Sequence, residues 1–313
     1  MPIEAKLLLK SVGPYSPPIG TFRLRYPKFI HGEFMTHRAF SRNASSSRAI
    51  PVSKNLDEVR YAELRAQPVW WGREQKGMQS GAELAPEEII QAKTDWETAA
   101  LQATRIAERM TFSGVHKSIV NRLLEPFLHI NVIATSCEPG LMNFFGLRLD
   151  RAAQPEIRVL AELMWKEWNE TEIRNLKPDC DEWHLPFIDP EDVDRSFGVY
   201  HVTPGELVVW ARKVSAARCA RVSYLSFETE KRSTIEEDLR LYERLAGASP
   251  MHLSPLEHQA SPDLYFEWHG PGESHWYKPH LHGNLPGWIQ FRKTIPEEDI
   301  AVLPDYSQEL IRR

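Results

Sequence analysis

A chain of 313 residues is long enough for two ordinary domains or one large one, and 42% hydrophobic with 26% charged residues argues for a packed core and against disorder. The formal net charge of −5 argues against a general nucleic-acid binder, so local arginine clusters point to a small anionic ligand. No apolar stretch approaches bilayer length, MPIEAKLLLKSVG lacks the features of a signal peptide, and three cysteines (Cys137, Cys180, Cys219) without a CxxC pair fit a cytoplasmic protein.

In chain order, Gly20 to Ile30 alternates as a strand, and His31 to Arg42 reads as a helix. Residues 52 to 85 form a polar segment to which no element is assigned. Pro86, Glu87 and Glu88 open a long helix, with Ile89, Trp96, Ala100, Ala103, Ala107 and Met110 at helical spacing. A short β-branched strand follows over Leu128 to Thr135, then a compact apolar stretch from Met142 to Leu149. Another amphipathic helix runs from Pro155 through Trp168. Residues 177–195, rich in proline and acids, read as a seam between a first half, 1–176, and a second half, 196–313. The two halves are expected to make one catalytic domain. Capping signals open helices at Thr203, Ser233 and Ser254, the second stopping at Gly247. A Trp-, His- and Pro-rich stretch follows from Phe266 to Trp288, then Ile289 to Lys293. Helices and short strands mix without a βαβα rhythm, so the predicted class is α+β.

The chemistry concentrates in Thr36 to Arg48, THRAFSRNASSSR, with three arginines, one histidine and four serines. Arg38, Arg42 and Arg48 offer forked donors to phosphate, and Ser45, Ser46 and Ser47 offer hydroxyls and backbone N–H groups. The plainer reading is a solvated basic loop. A second cluster comprises Arg122, Asn143, Arg148 and Gln154. There the plainer reading is a salt bridge from Arg148 to Asp150 or Glu156.

In this order the segments resemble the flavin-dependent thymidylate synthases, the ThyX family. That family's signature is R-H-R, seven residues, then S and a nearby Arg. Thr36-His37-Arg38, Ser46 and Arg48 match it except at the first position. The family's later block matches Arg122, Asn143, Arg148 and Ala153-Gln154-Pro155-Glu156-Ile157. Two further family segments, A-R-V-S-Y and H-x-S/T-P-F-E-H, normally precede R-H-R. Here they correspond to Ala220–Tyr224 and His252–His258, so the chain resembles a circular permutation of the family order.

The resemblance implies a ThyX-like mixed sheet flanked by helices and C5-methylation of a uridine monophosphate, UMP or dUMP. It also implies FAD as cofactor, methylenetetrahydrofolate as one-carbon donor, NADPH as reductant, and a homotetramer with shared active sites. It assigns Arg148 to catalysis, and Glu33, Ser46, Ser47, Arg48, Arg122 and Arg148 to the nucleotide. Thr36, His37, Arg38, Asn143, Ser223 and Ser254 fall to the flavin, and His252 to the folate. Thr36 stands where the family has Arg, Glu33 where it has Gln, and Ala44 where it has Glu; Cys137 and Pro139 replace an Asn and an Arg. No metal, nucleic acid or membrane is implied. The alternatives are a strictly dUMP-specific synthase, a non-catalytic nucleotide-binding module, and a cysteine-dependent enzyme using Cys137, whose SCEPG context lacks that family's P-C-H motif. His269, His275, His280 and His282 match no familiar metal-ligand spacing and read as loop residues.

Overall fold

The computed structural model describes residues 3–178, 181–198, 202–223, 233–248, 250–267 and 274–299. A five-stranded mixed sheet organises the first half. Its strands are β1 (Glu4–Val12), β2 (Ile19–Pro27), β3 (Ser41–Ala44), β4 (His129–Cys137) and β5 (Arg174–Asn175), in the order β3-β4-β2-β1-β5. All pairs are antiparallel except β1–β5. The class is α+β, as the sequence predicts.

The helices of this half are α1 (His31–Met35), α2 (Val52–Arg60), α3 (Pro86–Phe112), α4 (Lys117–Val120), α5 (Glu138–Arg148) and α6 (Pro155–Glu170). α6 packs on β1 and β2 and against α5. The principal core joins Phe22, Leu24 and Tyr26 of β2 to Phe34, Phe144, Ile157, Leu160 and Met164, all fully buried. A satellite core lies between α2 and α3, around Leu56, Val59, Ala100 and Ala107.

The second half brings α7 (Pro190–Gly198), α8 (Pro204–Ala220) and α9 (Ile235–Ala246), with short strands β6 (Ala260–Pro262), β7 (Tyr265–Phe266), β8 (His275–Trp276) and β9 (Trp288–Gln290). The tight turn Arg221–Ser223 packs on β3 and β4, and the turn Ser254–Glu257 packs on β3. Cys219 and Val222 share a buried cluster with Ile133 of β4. The described parts of the two segments that resemble family motifs therefore lie against β3, which is itself part of Thr36–Arg48, and the first of them also against β4. Tyr224 falls outside the described residues.

The acidic seam is fixed by charge pairing. Arg218 of α8 donates from Nη1 and Nη2 to Asp192 of α7 at 2.6 and 2.9 Å, and from Nε to Asp238 of α9 at 2.9 Å. Arg221 adds a 2.7 Å bond to the same Asp238. Both carboxylates are buried, and each has a guanidinium partner, which buried charges require.

Several local expectations differ from what forms. The helix expected over His31–Arg42 stops at Met35, because the chain turns through Thr36 to Phe40 to enter β3. The segment left unassigned contains α2, whose Leu56 and Val59 face α3. The second cap sits one residue later than expected: Thr234 Oγ1 accepts from Glu237 N, and Glu237 returns the bond to Thr234 N. Ser254 opens only a 3-10 turn, with Leu253 at its cap.

Candidate active site

Strand β4 passes directly into α5 at Cys137–Glu138, with Pro139 in the first helical turn. Gly140 permits the close approach needed there: a Cβ would lie 2.4 Å from Ser136 Oγ and 2.8 Å from Ala39 Cβ. The helix then carries Arg148 at its last position, where a cation also favours the helix dipole.

Arg148 Nε donates to His37 Nε2 at 2.8 Å, and Nη2 donates to Thr36 Oγ1 at 3.3 Å. The salt bridge to Asp150 or Glu156 does not form: Asp150 accepts from Ala152 N, and Glu156 accepts from Val69 N and Gln154. Because Arg148 donates, His37 Nε2 must be the bare nitrogen and the ring neutral. Electrostatics agree. Burial, then the charges of Arg148 and Arg42, hold the His37 pKa down to about 4. The ring is 6% exposed and packs edge-on against Phe144, with centroids 4.9 Å apart.

Arg42, a candidate phosphate donor by sequence, is turned to another task. Its Nη1 donates to the carbonyls of Met35 at 2.9 Å and His37 at 3.1 Å. It thus closes the end of α1 and holds the turn carrying His37. Thr36, Arg38 and Asn143 are exposed, and Glu33 is half-buried. The turn also holds Thr36 itself, whose Oγ1 donates to Glu33 O at 2.7 Å.

A second group gathers beyond β3. Ser47 is buried and hydrogen-bonded to Lys28 and Glu125, and Lys28 Nζ lies 2.7 Å from Glu125 Oε1. Arg122 Nη1 meets both oxygens of Glu125 at 3.1 and 3.3 Å. Burial opposes the Glu125 charge, but hydrogen bonds from Lys28 and Ser47 and the charges of Lys28 and Arg122 outweigh it and lower its pKa. Ser46 Oγ accepts from Arg48 N at 3.3 Å, Asn121 Nδ2 donates to Ser47 O at 2.7 Å, and Lys117 Nζ reaches Ala49 O at 3.0 Å. Arg48 is exposed, and its guanidinium has no partner among the described residues. The structure thus ties Ser47, in the loop with Ser46 and Arg48 that follows β3, through Glu125 to Arg122 of the turn Asn121–Leu123, and brings Thr36, His37 and Arg148 into another group. Lys28, Lys117 and Glu125 carry no pattern of their own that marks them as members, although Glu125 follows Arg122 by only three residues.

His252 and Ser254 are exposed near the turn that packs on β3, and His252 N donates to Leu245 O at 3.0 Å. The Ser223 side chain lies outside what the structure describes. Cys137 is buried, burial raises its thiol pKa, and its Sγ faces Pro286 O at 3.9 Å. A thiolate nucleophile is disfavoured there. His282 is committed to Asp263 at 2.9 Å and to Gly287 N at 3.0 Å, while His269 lies outside the described residues. Among the described residues no cluster could hold a metal, and no helix is long and apolar enough to cross a membrane.

A family model described as thymidylate synthase complementing protein matches residues 16–171. The flavin-dependent thymidylate synthases of two Tropheryma whipplei strains, TW08/27 and Twist, are each 28% identical over 162 residues, covering 47% of this chain. The match spans 62% of the length of those relatives. Among solved structures, the UMP/dUMP methylase PolB from Streptomyces cacaoi bound with 5-Br dUMP is similar at TM-score 0.45 and 19% identity, covering 54% of this chain and 90% of that one. The same enzyme bound with 5-Br UMP gives TM-score 0.43 and 20% identity, over 54% and 89% of the two chains.

Proposed function

Because the chain belongs, through residues 16–171, to the thymidylate synthase complementing protein family, we propose that it methylates C5 of a uridine 5′-monophosphate in a flavin-dependent reaction. The observation that carries this reading is the bond from Arg148 Nε to a His37 ring held neutral. Uracil C5 is a weak nucleophile, and the ring becomes reactive as negative charge develops across N3 and its carbonyls. A guanidinium already oriented where that charge forms lowers the barrier without reorganising. His37 occupies Nε and Thr36 one Nη2 hydrogen, so the remaining Nη donors of Arg148 are left for the base.

The basic loop holds the phosphate in this reading. Arg48 and Arg122 supply charge, Ser46 and Ser47 supply hydroxyls, and Glu125 keeps Lys28 and Arg122 converged until the nucleotide enters. Glu33 completes the nucleotide pocket.

The donor set suits FAD. Arg38, Asn143 and Ser254 are exposed, and no side-chain hydrogen bond within the described residues engages them. With Thr36, His37 and Ser223 they would hold the flavin, and His252 would meet the folate. When bound, the flavin supplies the hydride-transfer chemistry, with methylenetetrahydrofolate as one-carbon donor and NADPH as reductant. The protein's own part is to bind, orient and polarise the base, and no side-chain nucleophile is needed.

The packing of Arg221–Ser223 and Ser254–Glu257 on β3 and β4 supports a circularly permuted arrangement in which 1–176 and 196–313 form one catalytic unit. We further assign the protein to the cytoplasm, as a homotetramer with sites shared between subunits. The test is to purify the protein, record its flavin spectrum, and assay UMP and dUMP side by side with methylenetetrahydrofolate and NADPH. Conversion to the 5-methyl nucleotide is expected. A colourless protein that binds nucleotide but converts neither would establish the non-catalytic alternative.

A further inference from the structure

Helix α1 opens on His31, a residue to which the proposed reaction gives no role. One stretch of chain, from Lys28 to His37, serves both groups of the candidate site. At one end Lys28 is bonded to Glu125, the partner of Arg122, and at the other His37 accepts from Arg148. His31 lies within that stretch, three residues after Lys28 and six before His37. The charges of Lys28 and Glu125 on one side, and of Arg42 on the other, all bear on its ring. Arg42 is the residue that holds the His37 carbonyl, at 3.1 Å. Gly32, next in the chain, is exposed, and a Cβ added there would meet nothing within 4 Å, so the surface at this turn is open.

The His31 ring is held in one form. Its Nδ1 lies 3.0 Å from the Tyr26 hydroxyl, and the two rings stack with centroids 6.0 Å apart. Tyr26 is fully buried, and its hydroxyl has no other partner among the described residues. A buried hydroxyl hydrogen left undonated is costly, so Tyr26 Oη donates and Nδ1 accepts. The proton of the neutral ring then sits on Nε2. Burial first, then the charges of Lys28 and Arg42, outweigh Glu125 and lower the pKa, which keeps the ring neutral near pH 7. The ring is half-buried, and Nε2 bonds to no described residue and is not sealed from solvent. An accessible, uncharged donor of fixed tautomer thus stands on the stretch that joins the proposed phosphate-binding and base-binding groups. The part of a nucleotide that lies between phosphate and base is the sugar, whose hydroxyl oxygens are uncharged acceptors.

We propose that His31 contacts the sugar of the nucleotide, donating from Nε2–H to a ribose hydroxyl oxygen. Tyr26 is its positioning residue, because it fixes which ring nitrogen carries the proton. The assignment rests on the proposed uridine 5′-monophosphate site and adds to it a residue that senses the sugar hydroxyls.

The test is calorimetric titration of the full-length protein with UMP, dUMP and 2′,3′-dideoxyuridine 5′-monophosphate, which differ only in those hydroxyls. In the parent, affinity should drop about threefold to tenfold at the step that removes the contacted hydroxyl. His31→Phe, checked for folding by circular dichroism, should abolish that step. His31→Gln, whose amide nitrogen can stand in for Nε2, should restore part of it. Imidazole nitrogen-15 NMR of the parent reads the ring directly and decides the matter should His31→Phe not fold. Nε2 should be protonated and Nδ1 bare, and the Nε2 signal should move with the nucleotides that carry the contacted hydroxyl and not with those that lack it. Equal affinity of the parent for all three nucleotides, a step that persists in folded His31→Phe, or a proton on Nδ1 would overturn the role of His31 and leave the proposed nucleotide site standing. A parent that binds none of the three nucleotides would overturn both.

Discussion

Replacing Arg148 with alanine tests the proposed site through both rate and stability. The change removes the Nε donor 2.8 Å from His37 Nε2 and the Nη2 donor 3.3 Å from Thr36. His37 is 6% exposed, so its acceptor nitrogen loses a partner with little water to replace it. That costs about 1–3 kcal/mol near neutral pH. The acid side carries a second signature. Burial first, and then Arg148 and Arg42, bring the His37 pKa to about 4, whereas an unfolded histidine titrates at about 6.5. Between those values the unfolded chain binds a proton that the folded chain refuses. The contribution is therefore fully present above about pH 6.5 and is lost as pH falls toward the folded value. The shift corresponds to about 3 kcal/mol at most. Without Arg148 the folded pKa rises, so the variant should start less stable but lose less on acidification. Urea unfolding of parent and variant at about pH 7.5 and about pH 5 reads this difference. Turnover should fall about a hundredfold or more with flavin still bound. Near-normal turnover in a folded, flavin-loaded variant would refute the catalytic assignment, and an equal acid loss in both proteins would refute the coupling to His37.

Cys137→Ser should keep turnover within about tenfold, since a buried thiol with a raised pKa is no nucleophile; a covalent nucleotide adduct mapped to Cys137, with an inactive variant, would restore the cysteine-dependent route. Asp238→Ala strips a partner from both Arg218 and Arg221, so denaturant unfolding should show a loss of about 3–5 kcal/mol. A loss below about 1 kcal/mol would mean that those arginines re-pair at no cost. If the proposed reaction holds, the protein should accept UMP as well as dUMP, because Ala44 leaves no carboxylate where the family has one. A kcat/KM ratio favouring dUMP by more than about a thousandfold exceeds what tolerance of one hydroxyl allows.

Where one local force dominates, the sequence is a sufficient guide. Pro86 and Pro155 open α3 and α6, Thr203 with Glu206 caps α8, and Gly247 ends α9. Each signal acts within a single turn of chain. β1 carries no such local signal. Its register with β2 shifts between Leu7 and Leu9, so Leu-Leu-Leu does not alternate, and Leu8 packs instead with Ile133, Cys219 and Val222. α1 is shorter than its sequence suggests because Arg42 ends it from a distance, by donating to carbonyls five and seven residues back. The site shows the same division. Thr36, His37, Arg48 and Arg148 were visible as a spaced motif, but Arg42's turn to the backbone and Glu125's hold on Lys28 depend on contacts that no spacing encodes.

The second half is bound to the sheet by more than apolar packing. Ser11, His184, Thr21, Thr135 and His258 form one buried chain of hydrogen bonds, with successive lengths of 2.9, 2.8, 2.6 and 2.8 Å. It runs through β1, β2 and β4, the seam, and the segment just after Ser254–Glu257. Burial brings both histidine pKa values to about 3, so both rings are neutral and each offers one donor and one acceptor nitrogen. The hydroxyls can then point only one of two ways along the chain. If Ser11 donates first, the series ends with a proton on His258 Nε2, which has no partner among the described residues. If His258 Nδ1 donates first, the protons run through Thr135 and Thr21 to His184 and on to Ser11, whose own hydroxyl hydrogen is then the donor left over at the other end. Either direction leaves one buried donor at an end of the chain, so the two are alike in the number of unpaired hydrogens. Every member of the chain then depends on its neighbour for a partner. Detaching the segment that carries His258 would strand the Thr135 hydroxyl in the centre of the sheet.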